Sequence, residues 1–96
     1  MNQYVIYAWD SRDAGALARR MAVRPDHFRQ AAQLRSNGNL IIGGAILDED
    51  QQMIGSVMIV QFQAVKELED WLAIEPYIQG KVWEKWEVHP YRVAEV

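Results

Sequence analysis

The segment VRPDHFRQ, residues 23–30, contains His27, one of the chain's two histidines. Pro25 is typical of a first helical turn because its missing N–H has no intrahelical partner there, and Asp26 complements the positive end of a helix dipole. His27 is therefore predicted at a helix start, where the partial positive charge disfavours protonation of its imidazole. A neutral imidazole is what a general base requires. The alternative is a packed histidine that hydrogen-bonds a neighbouring group.

A carboxylate and a hydroxyl could act with this histidine. Glu75 precedes Pro76 in the segment IEPY, and a residue before proline is held out of the helical region, so its side chain should project from a fixed turn. Such a carboxylate can fix the tautomer of an imidazole and stabilise its charged form, but it could equally be a solvated glutamate at a helix end. Ser56 follows a glycine in a predicted strand. It could donate to a ligand or to His27, act as a nucleophile with His27 as its base, or lie on the surface.

Other polar clusters give weaker signals for chemistry. Asp48, Glu49 and Asp50 could attract a divalent cation, but a solvated hairpin tip is the better interpretation because no glycine-containing ligand loop follows. His89 has no evident partner and is predicted at a sheet edge. The chain has no cysteine, which excludes disulfides, thiolate nucleophiles and iron–sulfur clusters, and two histidines cannot form a three-histidine metal site. We predict no metal and no cofactor.

Composition predicts one compact domain over residues 1–96, with half of its residues hydrophobic and about a quarter charged. The net charge of −3 argues against nucleic-acid binding, which needs clustered lysine and arginine. The longest apolar run, LIIGGAIL, is far shorter than the ~20 residues of a membrane span. The N-terminus lacks the features of a signal peptide, so a cytoplasmic protein without membrane contact is expected.

Hydrophobic patterning predicts alternating strands and helices. Residues 10–22 favour a short helix or helical loop, and a firmer helix should begin at Pro25 and end near Ser36, with His27, Ala31 and Leu34 along one stripe bordering the buried face. The other elements are strands over 3–9, 39–47, 53–62 and 82–88 and a helix over 64–73. The order βαββαβ predicts a ferredoxin-like α+β fold, a four-stranded antiparallel sheet with helices on one face.

The predicted strands are hydrophobic at nearly every position, so the sheet face away from the helices should be apolar. Packing two such faces together would cover them, and we expect a homodimer through the exposed sheet face, a dimeric α/β-barrel-type assembly. Trp9, Trp83 and Trp86 are interpreted as core or dimer packing.

The sequence resembles the YCII-related (YciI-like) family over nearly its whole length. The similarity lies in YVIYAWD, LARRMAVRPDHFRQAAQL, GSVMIVQF and IEPYIQGKVWEKWEVHPY, in this order. It implies a dimeric ferredoxin-like fold, similar to that of muconolactone isomerases, and an active site built on a histidine–aspartate pair. The histidine corresponds to His27, the aspartate of a D-P-[FY] motif is replaced here by the longer Glu75, and the family's serine corresponds to Ser56. The hairpin DEDQQ is shorter than in many members.

The resemblance favours a cofactor-independent enzyme of lyase, isomerase or hydrolase type, since one lineage is associated with dechlorination of hydroxyquinones. His27 would move a proton on a small, aromatic or lactone-like substrate and Glu75 would orient it. Ser56 and Tyr77 would hydrogen-bond the substrate and Arg24 would hold an anionic group. The alternatives are a non-catalytic dimeric module that binds a small molecule, and a purely structural dimer without a pocket.

Overall fold

The computed structural model describes the whole chain, Met1–Val96. Its elements, in chain order, are β1 (Asn2–Asp10), α1 (Ala16–Ser36), β2 (Leu40–Leu47), β3 (Met53–Phe62), α2 (Val65–Ile74), α3 (Pro76–Gln79) and β4 (Trp83–Tyr91). The four strands form one antiparallel sheet in the order β2-β3-β1-β4. The predicted ferredoxin-like fold is confirmed, and α3 adds a single turn between α2 and the last strand.

The first helical region is one continuous helix of 21 residues with Pro25 inside it, so the prediction of a helix beginning at Pro25 is wrong. Proline removes the N–H that would bond to the carbonyl of Met21. Both residues are exposed, so water can satisfy that carbonyl. Continuity places Arg20, His27 and Leu34 on one buried face, and the packing of this face outweighs one lost hydrogen bond. No helix of the structure combines the length and the apolar character needed to cross a membrane.

The core lies between the sheet and the helices. Alternate residues of β1 and β3 point into it, because successive side chains of a strand lie on opposite faces. From these two strands it contains Tyr4, Ile6, Ala8, Met58, Val60 and Phe62. The helices, their connections and the start of β4 contribute Leu34, Leu68, Trp71, Tyr77, Val82 and Trp83.

The opposite face of the sheet is apolar only in the middle of β1 and β3, because β4 brings Lys85, Glu87 and His89 to it opposite Trp9, Tyr7 and Val5. The expectation of an apolar face is therefore correct in part. Val5 pairs with Ile59 and Tyr7 with Val57 across β1 and β3, and their side chains point away from the helices. The Tyr7 ring stacks edge-on against Trp9, with ring centroids 5.3 Å apart. Tyr7 remains 37% exposed, so this open face, as we call it, has no cover within the chain.

The edge strand β4 contains three residues singled out from the sequence, Trp83, Trp86 and His89. Trp83 lies in the core, whereas Trp86 is 40% exposed. His89 lies on the surface of this edge strand, but its Nε2 is 3.2 Å from Oε1 of Glu87, so the expectation that it has no partner is wrong.

The acidic hairpin between β2 and β3 is a hydrogen-bonded turn. The Asp48 carboxylate accepts from the backbone N–H groups of Asp50 and Gln52, and Gln51 adopts a positive φ. The structure has no group of three or more His, Cys, Asp or Glu side chains that could hold a metal ion. The two hydrogen bonds that the Asp48 carboxylate accepts hold the turn in place.

Candidate active site

His27 lies about three turns into α1 and is 8% exposed. The helix dipole acts within the first and last turns, so the expected effect of a helix start on this imidazole does not apply. Asp26 is exposed and pairs with Arg29 at 2.7 Å instead of complementing a helix terminus. The environment of His27 is therefore set by side chains from other elements.

Glu75 connects α2 and α3 in an extended conformation and is 1% exposed. Pro76 begins α3 directly after it, which is why the backbone leaves the helical region at this residue. The Glu75 carboxylate accepts a hydrogen bond from the backbone N–H of Tyr77 at 3.2 Å and forms a second one with Nδ1 of His27. The alternative of a solvated helix-end glutamate is therefore wrong.

This contact determines how the imidazole can act. A carboxylate accepts hydrogen bonds, so the hydrogen of this contact lies on Nδ1 of His27. Nε2 has no hydrogen-bond partner in the protein, and it is not among the unpartnered atoms that are sealed from solvent. A neutral imidazole in this tautomer can accept a proton at Nε2.

The Tyr77 ring stacks on one face of the imidazole, with ring centroids 3.9 Å apart and planes 12° from parallel. Its hydroxyl is buried and has no partner in the protein. Burial raises the pKa of the phenol above its ordinary value, against the opposing charges of Arg20 and Arg24. Tyr77 is therefore a protonated phenol, able to donate one hydrogen bond, at physiological pH.

Ser56 is 2% exposed and is not hydrogen-bonded to His27. Its Oγ accepts from Nη2 of Arg20 at 2.8 Å and from Nε1 of Trp83 at 3.3 Å. The structure thus gives Ser56 partners other than the histidine proposed as its base.

Two buried charged residues, Arg20 and Asp10, are absent from the predicted site. Nη1 of Arg20 lies 3.0 and 2.9 Å from the two carboxylate oxygens of Asp10, and both side chains are 3% exposed. The Arg20 guanidinium also lies 4.7 Å from the centroid of the Tyr77 ring. A single helix through Pro25 would have indicated Arg20, since it lies about two turns before His27 on the same face. Asp10 continues the inward alternation of β1 after Ala8.

A pocket of about 340 Å³ opens between α1 and β2, beside these residues. His27, Ser56 and Tyr77 line it together with three of the arginines of α1, which are Arg20, Arg24 and Arg35. Its apolar lining includes Phe28, Leu40, Ile42, Met53 and Met58. The alternative of a purely structural dimer predicted no pocket, and the structure has one.

The charge of the pocket is positive. Arg20 is neutralised by Asp10, but Arg24 and Arg35 form no ion pair. The guanidinium of Arg24 lies 4.3 Å from the centroid of the Phe28 ring, which holds it flat against an aromatic surface. The pocket therefore suits an anionic ligand with a planar ring.

Several solved structures share this fold, among them two from Burkholderia and Jannaschia. The 5-chloro-2-hydroxyhydroquinone dehydrochlorinase (TftG) of Burkholderia phenoliruptrix, in complex with 2,5-dihydroxybenzoquinone, has a TM-score of 0.80 at 20% identity, covering 96% of this chain and 95% of that one. A dimeric ferredoxin-like protein of unknown function from Jannaschia has a TM-score of 0.60 at 12% identity, covering 97% of this chain and 100% of that one. At these identities the likeness shows the fold alone.

The sequence comparisons identify the family as well as the fold. Protein YciI of Escherichia coli is 30% identical over 95 residues, covering 93% of this chain and 95% of that protein. An uncharacterized protein of Haemophilus influenzae is 34% identical with the same coverage. The family model of the YCII-related domain matches residues 2–92. The chain therefore belongs to the YCII-related family.

Proposed function

We propose that the protein is a small enzyme that moves a proton on an anionic, planar small molecule, with His27 as the base and Glu75 as its orienting partner. The observation behind this proposal is the His27 imidazole, whose Nδ1 is bound to a buried carboxylate while Nε2 has no protein partner beside the pocket. This is the arrangement by which a carboxylate orients an imidazole and stabilises the imidazolium that forms when it takes a proton.

In the proposed reaction, Nε2 of His27 removes a proton from the substrate, and the electron pair of the broken bond stays on the substrate. The charge that appears on the imidazole is balanced by Glu75, which is held in place by the Tyr77 N–H. The same imidazolium can return the proton to another atom of the substrate or to a leaving group. Isomerisation and elimination differ only in that last step, and neither needs an oxidant.

Arg24, Ser56 and Tyr77 would bind the substrate. Arg24 would pair with its negative charge, and the hydroxyls of Ser56 and Tyr77 would hydrogen-bond its oxygens. The ligand that the similar dehydrochlorinase TftG binds, 2,5-dihydroxybenzoquinone, is a planar ring with such oxygens. Chlorinated hydroxyhydroquinones, the substrate class in the name of that enzyme, are the first to test. Loss of HCl from them needs only removal of phenolic protons, return of one proton to the chlorine-bearing carbon and departure of chloride, with no change in the redox state of the protein.

The test measures chloride release from 5-chloro-2-hydroxyhydroquinone and isomerisation of a panel of small lactones. We expect His27→Ala and Glu75→Gln to lower the rate about 10²- to 10⁴-fold, the usual contribution of a general base and its partner. His89→Ala is the matched control, because it removes the other histidine from an exposed edge. Turnover unchanged in His27→Ala would refute the proposal. Ligand binding without turnover, unchanged in His27→Ala, would instead indicate the non-catalytic binding module.

We also propose that the protein is a homodimer through the open face. The face is apolar along β1 and β3 and uncovered, and a fold relative is described as dimeric. Sedimentation should give twice the chain mass, and Val57→Glu should shift the protein to the monomer. A monomer mass at every concentration would exclude this assembly.

A further inference from the structure

The hydroxyl of Ser56 has an unusual set of partners. A serine oxygen has two lone pairs and one hydrogen. Arg20 Nη2 and Trp83 Nε1 can only donate, so the two bonds that Ser56 Oγ forms with them use both lone pairs. The hydroxyl hydrogen has no acceptor within the protein.

The donors that hold Ser56 are themselves fixed. Arg20 is bound through Nη1 to both oxygens of Asp10, and both side chains are almost fully buried. Trp83 is 3% exposed and packs in the core beside the Tyr77 ring, with ring centroids 5.9 Å apart. Neither donor can turn away without breaking a buried contact.

We propose that Asp10, Arg20 and Trp83 are positioning residues that restrict Ser56 to a hydrogen-bond donor, and that Ser56 binds an acceptor oxygen of the ligand, a carbonyl or an ionised phenol. This rests on the proposed function only in using the same pocket, which Ser56 lines. The role of nucleophile is excluded, since both lone pairs are engaged and one of them faces a cation.

Tyr77 lies beside the same subsite. The residue lines the pocket, whereas its hydroxyl is sealed from solvent, has no partner in the protein and stays protonated because burial raises its pKa. Arg20 contacts both residues, through the Ser56 hydroxyl and the face of the Tyr77 ring. The Ser56 hydroxyl, a neutral donor beside a buried cation, suits an oxygen that bears a full or partial negative charge.

The probe is 2,5-dihydroxybenzoquinone, in which all the oxygens attached to the ring are hydrogen-bond acceptors once both hydroxyls are ionised. Calorimetry measures its dissociation constant. Ser56→Ala should weaken binding about ten- to a hundredfold, the value of a hydrogen bond to a charged group. Ser36→Ala, at the exposed end of α1, is the control. Ser56→Cys, which keeps a weak donor, replaces the alanine variant if that one does not fold.

The decisive variant is Trp83→Phe, which keeps an aromatic ring and removes the Nε1 donor. It frees one lone pair of Ser56, so the hydroxyl can rotate, and binding should weaken about three- to tenfold. If Trp83 acts through Ser56, the same substitution in the Ser56→Ala protein should change the dissociation constant no further. A purely structural effect of Trp83 would persist in that background.

If the wild type binds the probe, three results with it or its variants would overturn the proposal. They are unchanged binding in Ser56→Ala, equal effects of Trp83→Phe with and without Ser56, and covalent labelling of Ser56 by a fluorophosphonate. Failure of the wild type to bind the probe overturns it together with the ligand class proposed above. Binding that depends on Ser56, without turnover that depends on His27, supports the subsite and refutes only the enzymatic function.

Discussion

Replacing Arg20 by methionine should make the stability of the protein depend on pH in a defined direction. Methionine keeps much of the aliphatic stem and removes the guanidinium, so Asp10 loses its only side-chain partner while remaining 5% exposed. Burial already raises the pKa of Asp10 above its ordinary 3.8, and the hydrogen bonds and charge of Arg20 oppose that shift. Without Arg20, the pKa of Asp10 should rise further.

The sign follows from proton linkage. A carboxyl whose pKa is raised by folding binds its proton more tightly in the folded chain, so the free energy of unfolding falls as the pH rises from the ordinary value of aspartate through the raised one. The slope for one such group is about 1.4 kcal/mol per pH unit. Breaking a buried ion pair costs about 3–5 kcal/mol, and domains of this size are stable by roughly 5–14 kcal/mol. The variant should thus be most stable in mild acid and lose much of its stability near neutral pH.

Urea unfolding between pH 4 and 7, at one fixed protein concentration, measures this slope. Adding Asp10→Asn to Arg20→Met should abolish it, because no carboxyl remains to titrate. Arg19→Met is the matched control on the neighbouring residue, whose partner Asp13 is exposed. Arg19 lowers the pKa of Asp13 to about 2, so its contribution is present above about 3.8 and lost only as the pH falls through about 2. A stability profile of Arg20→Met parallel to that of the wild type would refute the reasoning.

Further outcomes are expected at single positions. Gly55→Ala places a Cβ 2.4 Å from the carbonyl oxygen of Ala8, a backbone atom that can move only if the sheet shifts. Thermal unfolding should therefore show a loss of about 1–3 kcal/mol in the free energy of unfolding. Gly44→Ala is the control and should cost less, because no atom lies within 4 Å of the added Cβ. In the folded state the Tyr77 phenol should ionise only above its ordinary pKa of 10.0, and subtracting the ultraviolet titration of Tyr77→Phe from that of the wild type should isolate this transition. A Tyr77 transition at or below pH 10 would contradict the burial of its ring.

The order of elements was predictable because strands and helices differ in hydrophobic period. The length of α1 was not predictable, because the local sequence around Pro25 indicates a helix start. The packing that keeps Arg20, His27 and Leu34 on one buried face is a tertiary effect. The prediction placed His27 at a helix start, whereas the structure places it in the middle of α1. The argument that the helix dipole disfavours its protonation therefore does not apply.

The contact between His27 and Glu75 was expected from the family resemblance, and the two side chains do meet. Their catalytic roles stay a prediction. Asp10 and Arg20 could not be predicted as a pair, because they lie ten residues apart on different elements. Only the register of β1 against β3, which brings Ala8 opposite Ser56, sets them beside the serine.

Two walls of the pocket, α1 and β2, differ in how they are attached to the rest of the fold. α1 is tied to the core by Arg20 and His27, whereas β2 is an edge strand whose central residues are exposed and which bonds to β3 alone. Gly43 lies on this wall, and a side chain there would meet Met58 at an ordinary 3.4 Å. Substitution at this one position could narrow or reshape the cavity without moving the imidazole or its carboxylate. Members of such a lineage can therefore diverge in what they accept while His27 and Glu75 stay unchanged.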